Sequence, residues 1–322
     1  MKSKHLKQIV DSVGHLPMFR ADVQTGIFAK QLVTVTLSEL FRHEFPETKW
    51  MNGGLIPITT NVSDGAKEYS FIESIHNGRA EIVADNADDI PAAEVSGRNN
   101  LRSIKTVAVH ITYSTQDIRS ARLQGMFDIA TEKASAAREA NDRALDDLIR
   151  VGNDENGLMG VVNHPGIVVQ NATNGSWSMS SDPNDVIEDV TTAINAVMNN
   201  TDAVEVPNTF ITSVSKFNVL STLRIQTGVG ESGTTVLEFL KKAHPMVTRW
   251  DWEFGMKNVS ASGSDAALIY NRSPSKLRAV FPMMMRALPP EQRGLSFKIN
   301  FETRFGGVMM PKPRSVLRLD GI

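Results

Sequence analysis

Apolar residues change their spacing twice along the first half of the chain. Tyr69, Phe71 and Ile75 alternate with Ser70 and Ser74, and Val107, Val109, Ile111 and Tyr113 alternate with their neighbours. Both stretches predict strands within a β-rich region from 66 to 113. Asn77-Gly78 suits a two-residue hairpin turn, and Ala80, Ile82 and Ala84 alternate beyond it, so the return strand is expected there. The period then becomes helical. Ser114 is placed to cap a short helix, with Asp117 at the reciprocal capping-box position. Gly125 separates that piece from a helix running from Met126 to Val151, roughly 39 Å long. Phe127, Ala130, Ala134, Ala137, Ala144, Leu145 and Leu148 recur at three- and four-residue intervals and are expected on its buried face. Gly152 should end it as a left-handed cap. Gly157, Gly160 and Gly166 then punctuate Leu158-Met159 and Val161-Val162, which predicts a sharp turn that buries apolar residues at once.

Farther on, 171–184 is a polar linker, and Asp182-Pro183 opens a helix striped by Ile187, Val190, Ile194 and Val197. Pro207 to Thr212 reads as a strand, Lys216 to Ile225 as a helix, and Thr235 to Lys242 as another helix. Alternating helix and strand suggests a compact α/β lobe. From Ala266 the chain is strand-rich, through Ala267–Tyr270, Leu277–Phe281, Leu295–Phe305 and Ser315–Leu319, with Gly306-Gly307 allowing a tight bend. The first 50 residues show no single period and read as an extended arm carrying Lys2, Lys4 and Lys7.

Composition removes several classes. The chain of 322 residues has 34 Lys and Arg against 36 Asp and Glu, a net charge of −2. A dedicated nucleic-acid binder would normally be basic, whereas a neutral shell around DNA need not be. Without cysteine there is no disulfide, thiolate metal site or cysteine nucleophile. No apolar run approaches a membrane span.

The short helix, the long alanine-rich helix closing on Ile149-Arg-Val-Gly152, and Gly157-Leu-Met-Gly-Val-Val-Asn-His-Pro-Gly166 together resemble the spine helix and following loop of major capsid proteins of tailed DNA bacteriophages. Pro207-Asn-Thr-Phe-Ile-Thr-Ser213 before a helix resembles that family's A-domain. Phe301-Glu-Thr-Arg-Phe-Gly-Gly-Val308, followed by Pro311 and Pro313, resembles its closing P-domain strands. The resemblance implies an α+β fold, often called the HK-ninety-seven fold and shared with encapsulin shells. It implies an N-terminal arm in 1–65, an extended E-loop in 66–113, a P-domain with the spine helix in 114–184, an A-domain in 185–284, and closing P-domain strands in 285–322. Tyr69, Phe71, Asn77, Gly78 and Arg79 are then candidates for contact with a neighbouring subunit, and Gly228, Gly230 and Gly233 for an A-domain loop near the symmetry axes. The implied role is structural: hexamers and pentamers of one chain form an icosahedral head, assembled in the host cytoplasm. That head encloses DNA without sequence-specific binding, and portal, scaffold or decoration proteins are its implied partners. No membrane, cofactor or metal is implied. An encapsulin-like compartment is the alternative, and a soluble α/β enzyme a third reading.

The chemistry-bearing patterns add little. Gly228-Val-Gly230-Glu-Ser-Gly233 spells a dinucleotide fingerprint, but such a motif needs a strand before it and a helix after, and the preceding residues read as helical. Thr234 stands where a phosphate-binding loop needs lysine. The seven histidines lack helical metal spacing, and Asp85, Asp88 and Asp89 lack the glycine and distal glutamate of a calcium loop.

Overall fold

The computed structural model describes residues 45–82, 92–116, 129–227 and 230–322. Residues 1–44 of the expected arm, Ala84, the acidic run at Asp85–Asp89, Asp117, Gly125, Phe127 and Gly228 lie outside the described residues. The rest of the arm is not all surface extension, since Trp50, Leu55 and Ile56 are buried in the main core. The N-terminal half gives strands β1 (Glu68–Asn77), β2 (Glu94–Ser103) and β3 (Lys105–Ser114), then the long helix α1 (Ile129–Arg150). The Ser114 hydroxyl accepts a bond from the Gln116 amide, as expected of the cap.

α1 buries Ala137, Asn141, Leu145 and Ile149, a strict four-residue ladder. Each such step advances about 40° around a helix. The buried stripe therefore turns along the helix, and Ala144, expected in it, faces solvent. Ala137 packs on Ile111 and Tyr113 of β3, and on Ile299 and Phe301 across the sheet. Leu145 and Ile149 enter a larger core with Trp50, Leu55 and Phe305. Between them, buried Asn141 accepts from the Thr303 hydroxyl at 3.0 Å, so the polar pair fixes how α1 lies on the sheet. Replacing Ala137 with Leu should cost about 1–3 kcal/mol by overpacking. The same change at exposed Ala136 should cost a few tenths. Thermal melts of the two variants would check this, and equal melting temperatures would refute the buried seam.

The helix ends as expected. Gly152 has φ +81°, and Gly152–Asn153 pairs with Leu158–Met159. The chain then turns back under the helix, where the Val161 and Val162 amides donate to the Ile149 and Arg150 carbonyls. Two otherwise unpaired terminal carbonyls are satisfied while Leu158, Val161 and Val162 become buried.

The main elements that follow are β4 (Val168–Asn171), α2 (Pro183–Asn199), β5 (Thr209–Thr212), α3 (Val214–Thr222), β6 (Arg224–Thr227), β7 (Gly230–Thr235), α4 (Val236–Ala243), β8 (Arg249–Trp252), β9 (Ala266–Tyr270), β10 (Ser296–Phe305) and β11 (Val316–Asp320). Short strands at Ile58–Thr59, Arg278–Val280 and Val308–Met309 make a small sheet of their own. β10 pairs antiparallel with β3 along its full length, and Met283–Ala287 and Glu291–Arg293 pair with β10 as well. A second sheet runs β8-β5-β9-β11-β4. Alternate residues of its strands serve two cores. Phe210, Ala267, Ile269, Leu317 and Leu319 face α2, α3 and α4, whereas Ile211, Leu268, Tyr270 and Val316 join the core that holds Leu145 and Ile149. Buried on both faces, β9 reads as the unbroken apolar run Ala-Ala-Leu-Ile-Tyr.

Three expectations need correction. The strands of 285–322 do not stay together, because β10 joins the sheet under α1 while β11 lies in the five-stranded sheet between β9 and β4. The helix expected over 216–225 ends at Thr222, since Leu223 is extended, and Ile225 belongs to β6. The polar linker 171–184 is pinned rather than loose. Trp177 is buried and donates its indole N–H to Asp189, whose other oxygen accepts from the Thr173 amide.

Candidate assembly surface

β1 and β2 form a two-stranded ribbon paired from Glu68↔Ser103 to Asn77↔Glu94, with no third strand among the described residues. The expected return strand at 80–84 is therefore misplaced. Residues 78–82 carry no strand, and the return begins at Glu94, so Asn77-Gly78 does not make a two-residue turn. Asn77, Gly78 and Arg79 are exposed at the far end, where Arg79 lies 3.7 Å from Glu81.

Directly opposed residues share a face. One face carries Tyr69, Phe71 and Ile75; the other carries Ile72, Val95 and Leu101, with Gly97 opposite Ser74. Those last three apolar side chains are 75 %, 68 % and 59 % exposed. Such a stripe on an unsupported ribbon is unstable in water unless something covers it. The sequence reading missed these three. The signal was present in Ile72, which breaks the alternation of Tyr69 and Phe71 by placing an apolar residue on the opposite face.

The ribbon is tied to the rest of the subunit at its root. The Tyr69 hydroxyl donates to the Gly306 carbonyl at 3.1 Å, and a side chain at Gly306 would meet the Tyr69 ring at 2.9 Å. Burial pushes the Tyr69 hydroxyl up to about 12, so it stays a neutral donor. Arg304 donates to the Asp64 and Ala66 carbonyls, and the Ser103 hydroxyl to the Asn156 carbonyl. Tyr69, a candidate contact residue, is thus engaged inside its own subunit, and Phe71 is half-buried.

Of the glycine-rich candidates, Gly230 and Gly233 lie on a second hairpin, β6–β7, between α3 and α4. Gly230 begins β7, and Gly233 is exposed within it beside a register shift. A strand does precede these glycines, contrary to the helical reading. Yet β7, not a helix, follows directly, so the dinucleotide geometry is absent for a different reason. Thr235 then caps α4 in a reciprocal capping box with Glu238.

A cleft of about 440 Å³ opens beside the last turns of α1, lined in part by Asp146, Asp147, Arg150, Glu253 and Phe254. Asp146 accepts from the Met51 amide at 2.9 Å. Burial, aided by the nearby charges of Glu253 and Asp147, pushes its carboxyl up to about 6 despite backbone bonds from Trp50 and Met51. Arg143, Arg150 and Lys257 also line the cleft. The fold therefore favours the protonated acid, and the stability this contributes is present at low pH and lost as pH rises through about 6. Melting temperature should fall between pH 5 and 7, and Asp146→Asn should flatten that slope; an unchanged slope would refute the assignment. Among the described residues, no three His, Cys, Asp or Glu side chains are grouped to hold a metal, and no helix is long and apolar enough to cross a membrane.

The sequence profile of the family described as "Major capsid protein" matches residues 78–322. The chain belongs to that family. Its role is accordingly structural, that of a shell-forming virion protein and not an enzyme. Solved capsids share its α+β fold. The capsid of Myoviridae phage XM1 has a TM-score of 0.78 at 17 % identity, covering 91 % of this chain and 98 % of that one. Mycobacterium phage Bobi gives 0.61 at 16 % identity, covering 94 % and 100 %. The virus-like particle from Pyrococcus furiosus gives 0.52 at 14 % identity, covering 84 % and 92 %. No curated protein sequence matches this capsid protein.

Proposed function

We propose that this capsid protein assembles into the hexamers and pentamers of an icosahedral phage head, built in the host cytoplasm around DNA. The carrying observation is the β1–β2 ribbon, anchored at its root and exposing Ile72, Val95 and Leu101 along one face. Laid over a neighbouring copy, that face would leave water, and each subunit would complete another's surface. Phe71, Asn77, Gly78 and Arg79 would add polar and aromatic contacts along the same ribbon, and the β6–β7 hairpin with Gly228, Gly230 and Gly233 would approach the local symmetry axes. A net charge of −2 suits a wall that encloses DNA without reading it. Portal, scaffold and decoration proteins are the partners such a head would need. The greater likeness to the phage XM1 capsid than to the Pyrococcus particle favours a phage head over an encapsulin-like compartment.

Negative-stain microscopy and sedimentation of the expressed chain, alone and with its helper proteins, should show hollow particles or capsomers. A monomer under every assembly condition would overturn the proposal.

A further inference from the structure

We propose that the cleft beside the C-terminal turns of α1 receives a cationic side chain, lysine or arginine, from a second copy of this chain. Glu253 carries the argument. It is 3 % exposed, lines the cleft, and its Oε2 is buried with no hydrogen-bond partner. A carboxylate oxygen in that state is costly unless a donor reaches it. No cation among the described residues reaches that oxygen: Arg150, which lines the cleft, donates to the Gly255 carbonyl and to Asp147, and Arg143 and Lys257, which line it too, form no hydrogen bond with it. Lys49, on the neighbouring wall, is held by Asp251 and the Trp252 carbonyl.

Asp146 adds a second acid to the same wall, and its carboxyl is bound by the backbone amides of Trp50 and Met51, with no cation hydrogen-bonded to it among the described residues. Phe254 is 61 % exposed at the cleft, a ring available to the stem or charge of an incoming lysine or arginine. The cleft is open and wide enough for one extended side chain. A guest with several N–H donors would satisfy Glu253 and offset the repulsion between the two acids. Because the guest comes from a neighbour, the strain of the free subunit is relieved only in the assembly.

This rests on the shell-forming reading, and the test separates the two. Wild-type, Glu253→Gln and Asp146→Asn full-length chains are assembled, and two quantities are read: the urea midpoint of shell dissociation, and the melting temperature of dissociated subunits above pH 7. The expected result is opposite signs. The variants still form particles, their dissociation midpoint drops by roughly 0.5–1 M urea, and their free subunits melt at the same or a higher temperature. A purely internal role for the acids would instead lower the subunit melting temperature, and that outcome overturns the proposal, as does an unchanged dissociation midpoint. A reconstruction of the shell should place a lysine or arginine nitrogen of a neighbouring copy within hydrogen-bond distance of Glu253. A cleft filled by solvent, a metal ion or the subunit's own N-terminal segment would equally overturn it. Failure of the wild type to form particles would instead overturn the shell reading.

Discussion

Replacing residues 71–100 by Asn-Gly will abolish shell formation while leaving the subunit folded. Ser70 and Leu101 face each other across the ribbon, so a two-residue turn can join them without moving the root. The anchors at Tyr69, Arg304 and Ser103 all remain. None of the described residues among those excised belongs to a buried core cluster. The subunit's melting temperature should therefore change by no more than a few degrees, while particles disappear from sedimentation profiles. A milder version replaces Ile72, Val95 and Leu101 with Ser, which removes the exposed apolar face and leaves the backbone pairing intact. Global unfolding of the excised chain would show that the ribbon supports its own core. Normal particles would show that it covers no neighbour.

The second large effect is expected at Gly160. A β-carbon there would lie 2.2 Å from the Val151 carbonyl carbon and 2.4 Å from the Gly152 nitrogen, both backbone atoms that cannot swing aside. Gly152 meets the same wall from the other side, with its own β-carbon 2.4 Å from the Gly160 nitrogen and a left-handed φ. Gly160→Ala should thus cost about 3 kcal/mol or more, at the upper end of overpacking penalties. It would part the Val161 and Val162 amides from the end of α1 and lift three apolar residues out of the core. Gly233→Ala is the control, since nothing lies within 4 Å of its β-carbon position. Chemical denaturation of both variants decides the matter, and similar midpoints would refute the close-approach argument.

These glycines show what a sequence reveals. Gly152, Gly157, Gly160 and Gly166 were legible because glycine between apolar pairs has few structural meanings. The cap at Asp182 was legible for the same reason, since a short polar side chain before an apolar stripe acts locally. What escaped was set by distant partners. The stripe on α1 turns away from Ala144 because the helix lies first on a sheet and then in a second core, and no single-helix pattern encodes that change. The return strand of the ribbon was misread because 94–103, Glu-Val-Ser-Gly-Arg-Asn-Asn-Leu-Arg-Ser, has almost no apolar alternation. A strand exposed on both faces leaves little hydrophobic trace. The orphaned oxygen of Glu253 and its proximity to Asp146, more than a hundred positions away, are products of folding alone.

The placement of β11 bears on how the subunit is made. It lies between β9 and β4, and it is the only strand among the described residues to which β4 is bonded. During synthesis, residues 168–171 and 266–270 leave the ribosome well before 316–320, so the sheet must wait with its middle slot vacant. Pairings across such sequence separations form slowly. The nascent sheet would then leave β9, with Leu268 on one face and Ile269 on the other, as an open edge until β11 arrives, a period when chaperones have most to grip. Assembly competence would come only with that final insertion, which gives the cell a natural delay between translating a subunit and committing it to a wall.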